Sequence, residues 1–74
     1  MEEIILVQHK NTIYKVTVSD AISLEKEENK LKAFKSFAVF YAGDASDVEP
    51  DIVVWDENPA SWGDLIGHAK EISE

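Results

Sequence analysis

Residues 3–9 and 12–18 are both rich in Ile, Val, Tyr and Thr, and only Lys10-Asn11 separates them. β-Branched and aromatic side chains favour the pleated, half-buried surface of a strand. So short a connection makes the two runs an antiparallel hairpin, and Asn11 tolerates the left-handed backbone that such turns use. The turn also sets a register. Val7 opposite Tyr14, Ile5 opposite Val16 and Glu3 opposite Val18 share one face, which predicts the core side. The other face pairs Leu6 with Lys15, Ile4 with Thr17 and Gln8 with Ile13. It is half polar, and it exposes three aliphatics unless something covers them. A chain that starts this way is committed to a sheet with one strongly apolar face.

The rest of the chain supplies the cover. Ser19-Asp20 suit a helix N-cap. The stretch from there to Lys35 is dense in Glu, Lys, Leu and Ala, which predicts one helix interrupted in composition only by Asn29. Lysines at 26, 30, 32 and 35 against Glu25, Glu27 and Glu28 give it a solvated face with local ion pairs. Residues 36–42 suit either a continuation of that helix or a buried strand, because a short apolar run has no decisive period. Their Phe, Val and Tyr content favours the strand. Residues 43–51 form a polar loop broken by Pro50. Residues 51–55 read as a strand that is apolar on both sides, and therefore central. Ser61 followed by Asp64 matches a helix N-terminal capping pattern. Trp62, Leu65, Ile66, Ala69 and Ile72 then follow the spacing of an amphipathic helix.

The sum is a single α+β domain over residues 1–74, with a small, largely antiparallel sheet and helices packed on one face. The element order is β-β-α-β-β-α, or β-β-α-β-α if 36–42 is helical. A core in 74 residues contributes only about 3–5 kcal/mol, and small domains usually add disulfides, a metal or a second subunit. The chain has no cysteine. Disulfides, thiolate zinc sites and cysteine nucleophiles are therefore excluded. Good packing or self-association remains. The first residues are acidic, and the apolar run at 4–7 is too short for a signal core or a membrane span. The reading is a cytoplasmic protein with no membrane partner.

Charge carries the functional signal. Fifteen acids stand against seven basic residues, all lysine, for a net charge of −8. Residues 1–43 hold six acids and six lysines; residues 44–74 hold nine acids and only Lys70. The whole net charge therefore falls in the C-terminal part. Direct nucleic-acid binding needs a basic surface, and planar recognition of phosphate or base edges leans on arginine. Neither is present. An acidic face suits a basic partner instead.

Three function classes follow. The first is a non-catalytic protein-binding domain whose acidic surface docks on a basic protein, such as a nucleic-acid-binding protein. Asp44, Asp47, Glu49, Asp51, Asp56, Glu57 and Trp62 are its candidate residues. If residues 47–51 are extended, Asp47, Glu49 and Asp51 point the same way about 7 Å apart. That spacing approaches the repeat of backbone phosphates and suits an inhibitor or nucleic-acid mimic of the kind made by phages and mobile elements. Trp62, in the first turn of the last helix, would supply an aromatic anchor. The bland reading of these acids is solubility, and of Trp62 a core position. The second class is a divalent-cation loop at 44–51, since Asp44, Asp47, Glu49 and Asp51 cluster hard oxygens. Their spacing is not that of an EF-hand, and a solvated loop is the bland alternative. The third is a structural subunit that forms a homodimer through Ile4, Leu6 and Ile13 on the open sheet face.

Catalysis has little to stand on. Asp64 and His68 lie four residues apart on the last helix, but no serine sits in a nucleophile elbow. Gly43, Gly63 and Gly67 are too dispersed for a phosphate-cradling loop. No cofactor is implied.

Overall fold

The computed structural model of the chain describes residues 3–42 and 48–73. The hairpin forms as its pattern requires. Strand β1 (Ile4–His9) pairs antiparallel with β2 (Thr12–Thr17) in the register Val7–Tyr14, Ile5–Val16, Leu6–Lys15. The ladder runs one step further, with Val18 N–H donating to Glu3 O at 3.0 Å. In the turn it is Lys10, not Asn11, that takes positive φ, at 57°. A positive φ at the first central residue is the mark of a II′-type hairpin turn. Gln8 Nε2 closes the turn by donating to Lys10 O at 2.8 Å.

The chain passes from β2 straight into helix α1 (Val18–Ser23), whose N-cap is Thr17. Its hydroxyl accepts from Asp20 N–H, so the cap falls two residues before the Ser19-Asp20 position read from the sequence. Val18 is buried and already helical, which leaves Thr17 as the last extended residue. The single helix expected up to Lys35 is also divided. A 3₁₀ turn (Leu24–Lys26) follows α1, Glu27 turns extended, and helix α2 (Lys30–Phe37) starts afresh. Asn29 is the reason: its side chain accepts from Lys32 N–H at 3.1 Å and caps the new helix.

Residues 36–42 divide between helix and strand. Phe37 closes α2, Ala38 takes extended geometry, and Val39–Ala42 form β3. β3 pairs antiparallel with β2 across a bulge. β4 (Ile52–Val54) lies parallel to β1. The sheet order is β3-β2-β1-β4. β4 is thus an edge strand, not the central strand its apolar pattern suggested. Ile52 and Val54 pack into the core, while Val53 pairs with Gln8 on the side without helices.

Helix α3 (Pro59–Ser73) starts two residues before the predicted cap. Pro59 occupies the first position, where its missing N–H costs nothing. Asn58 Oδ1 accepts from Ala60 N–H. Ser61 is buried and does a different job: its Oγ accepts from Trp55 N–H at 2.8 Å and faces the carbonyls of Asn58 and Trp55. It ties the start of α3 to the end of β4.

All the helices lie on one face. Ile5, Val7, Val16 and Val54 of the sheet form one buried cluster with Val18, Ala21, Leu24, Phe34, Trp62, Leu65, Ile66 and Ala69. Each such aliphatic or aromatic side chain contributes about 1.5–3 kcal/mol relative to exposure. At the surface, Lys70 Nζ lies 2.8 Å from Glu25 Oε2, joining α3 to the 3₁₀ turn. The lysine hydrogen bond and charge hold the Glu25 carboxyl below its ordinary 4.5. A lowered folded-state pKa contributes stability that is present above the unfolded value and is lost as pH falls through the folded one. Both groups are exposed, so the effect is small. In acid titrations followed by circular dichroism, Glu25→Gln should be slightly less stable than wild type at pH 7. The gap should close once the pH is below the folded pKa; a gap that persists there would mean the glutamate acts through packing.

Candidate partner-binding surface

The described acids from residue 49 onward border β4, the turn after it and α3. Glu49 and Asp51 lead into edge strand β4, and Asp56 and Glu57 follow it; all four are exposed. On α3, Asp64, His68 and Glu71 line a shallow concavity with Ile52 of β4. Chain order therefore explains the grouping: β4, its turn and the outer face of α3 are contiguous. Lys15 lies on β2 and Lys26, Lys32 and Lys35 around α2, while Lys30 shares a groove with Asp56. Asp44 and Asp47 lie outside the described residues.

The candidate acids are not equivalent. Asp51 is built into the fold. Its N–H donates to Leu6 O at 2.8 Å, and its Oδ2 accepts from Leu6 N–H at 2.9 Å. This side-chain bond extends the parallel β1–β4 ladder by one rung that the backbone alone does not make. Glu49, Asp56 and Glu57 are free of that duty. Asp56 is held below the ordinary aspartate range, chiefly by a hydrogen bond with the Glu57 side chain. Its own backbone N–H and the charges of His9 and Lys10 act in the same direction.

Behind Asp56 lies His9. Alternation with Ile5 and Val7 turns its ring to the helix side, where it is 4% exposed. Nε2 lies 3.7 Å from Asp56 Oδ1 and has no hydrogen-bond partner. Alternation along β1 puts His9 on the helix side, but nothing local in the sequence connects it to a residue 47 positions later. Asp64 and His68 share α3 without forming an ion pair. Among the described residues, no cluster of three or more His, Cys, Asp or Glu could hold a metal ion.

The two tryptophans differ in burial. Trp62 is 4% exposed, with its ring 5.6 Å from Phe34 in an edge-to-face contact, and Phe34 meets Tyr14 the same way at 5.4 Å. It reaches only the floor of a groove of about 610 Å³ between the starts of α2 and α3, beside Lys30, Asp56 and Pro59. So buried a ring offers a partner little area, whereas Trp55 is 46% exposed and directly precedes Asp56 and Glu57. Extended geometry turns successive side chains to opposite faces. Val54 is fully buried, so its neighbour Trp55 points away from the core. The signal was present in the sequence, but it could not say which of the two rings the core would take.

The alternative apolar interface also changes. Ile4 is 46% exposed and Leu6 partly buried, as an open face requires. Ile13 is 0% exposed and is removed from that patch, although it lies opposite Gln8, outside the helix-side cluster.

No family model matches the chain, and no curated protein or solved structure matches it either.

Two substitutions separate structural from surface roles. Asp51→Ala should cost about 1–2 kcal/mol in urea unfolding, because the Leu6 amide loses a charged acceptor at a partly solvated edge. Trp62→Ala should cost about 3–5 kcal/mol, enough to unfold a domain of this size, whereas Trp55→Ala should change stability by less than about 1 kcal/mol. Equal losses for the two tryptophans would contradict this assignment.

Proposed function

We propose that the chain is a non-catalytic protein-binding domain whose acidic β4–α3 side docks on a basic protein surface. The observation that carries this reading is Trp55, half-exposed and immediately followed in the chain by the exposed acids Asp56 and Glu57. An aromatic ring with a charged rim is a common form of interface anchor. The carboxylates would steer a basic partner and fix its orientation, and the ring would supply desolvated contact area.

The regular three-acid row of a nucleic-acid mimic is not part of this proposal, because the Asp51 carboxylate already accepts from the Leu6 amide. The partner is a basic protein of any class that offers lysines or arginines around an apolar recess. Among the described residues, no helix is long and apolar enough to cross a membrane.

The test uses the tagged chain as bait in lysate of its source, washed in parallel at low and high salt. A basic protein should be retained at low salt and released as screening rises. The variant Trp55→Ala/Asp56→Asn/Glu57→Gln should keep its fold by circular dichroism and lose that protein. Retention of the same protein by the triple variant, or in high salt, would defeat the proposal.

A further inference from the structure

The two edges of the sheet are unlike, and the edge opposite the acids is apolar. β3 is a terminal strand, hydrogen-bonded only to β2 among the described residues. Its three consecutive residues Val39, Phe40 and Tyr41 are 55%, 61% and 50% exposed. Val39 lies opposite Lys15 on the side without helices, and Phe40 lies opposite Tyr14 on the helix side. Among the described residues, the strand is therefore uncovered on both faces and unpaired on its outer edge. An edge of this kind offers backbone N–H and C=O groups to another strand, and proteins usually protect it with short length, bulges, charge or proline. β3 is short and bulged, but it carries neither charge nor proline.

We propose that this edge is a dimer interface at which two copies of the chain pair β3 with β3 antiparallel about a twofold axis. A register centred on Phe40 sets Phe40 against Phe40 and Val39 against Tyr41 of the other copy, so every central pair is apolar. Aromatic and β-branched cross-strand pairs of this kind stabilise a sheet. Charge selects the second copy and this edge. Pairing β4 with β4 would bring Asp51, Asp56 and Glu57 against their own copies. Pairing β3 with β4 would press an apolar strand against that acidic edge. Joining the β3 edges instead makes an eight-stranded sheet with the two acidic edges at its far ends. They are then about 34 Å apart, several Debye lengths at physiological salt. The same acids oppose further addition at the free ends, so the assembly closes at two.

The exposed parts of Val39, Phe40 and Tyr41 amount to about 300 Å² per copy, well below the ~800 Å² per partner of a standard stable interface. The dimer is accordingly concentration-dependent and not obligate. It is independent of the docking proposed above, since β3 and β4 lie at opposite ends of the sheet.

Sedimentation equilibrium of the full chain from micromolar to millimolar concentration tests this. The average mass should rise from 8.3 kDa towards twice that value, and more readily at high salt, where repulsion between copies of charge −8 is screened. Phe40→Lys, which places like charges opposite each other at the axis, should weaken association at least about tenfold with an unchanged circular dichroism spectrum. In a wild-type sample mixed from differently labelled chains, cross-chain NOEs should join Val39 to Tyr41. That measurement stands even if the variant fails to fold. A wild type that stays at monomer mass at millimolar concentration and high salt would overturn the proposal. So would undiminished association of folded Phe40→Lys. Association that Leu6→Lys abolishes and Phe40→Lys spares would move the contact to the open sheet face and overturn it too.

Discussion

The structure depends on burying one face of β1 while both of its edges are paired. Ile5 and Val7 are 1% and 0% exposed, and they lie between Val16 of β2 and Val54 of β4 beneath the helices. A buried strand must have its backbone groups satisfied, since an unpaired amide or carbonyl in the core costs about as much as the hydrophobic gain of a side chain. β2 satisfies one edge through the hairpin. The other edge needs a strand from far along the chain, and β4 supplies it in parallel. β4 is only three residues long, and the Asp51 carboxylate adds a rung at its start. Ser61 holds the other end, fastening Trp55 to the first turn of α3.

That arrangement gives the domain its polarity. β4 lies at one margin because it pairs with the outer edge of β1, and it brings the acidic segment with it. β3 lies at the other margin because α2 delivers it beside β2 with one residue of connection. The helices cover the middle of the sheet and leave Phe40 open at its margin. Under the two proposals, the β4 margin would meet a basic protein and the β3 margin an apolar strand.

The buried His9 illustrates the limits of so small a core. Its ring fills a core-side position, yet Nε2 has no hydrogen-bond partner and lies 3.7 Å from Asp56. Satisfying it would require Asp56 to move inward. Asp56 instead stays exposed at the surface. Trp62 shows the opposite economy. The aromatic nearest the acids in helical spacing became a core residue because α3 must bury one face along its length, and Trp62 heads that face with Leu65, Ile66 and Ala69.

Local chemistry was enough to specify the hairpin and its register, helix formers on either side of residues 27–29, the amphipathic face of the last helix and the segregation of charge along the sequence; for residues 36–42 it only favoured the strand. Each of these rests on residues within a few positions of one another. The break at Asn29 was visible in composition, but its use as a cap depended on the core drawing α2 into a new direction. Tertiary structure alone decided that β4 would be an edge strand parallel to β1, that Asp51 would spend its carboxylate on Leu6, and that Trp55 and not Trp62 would face solvent. Only the fold could leave β3 uncovered on both faces. These are outcomes of long-range pairing and of competition for a single small core, and a pattern read along the chain carries neither the identity of a strand's distant neighbour nor the order in which apolar side chains fill the available volume.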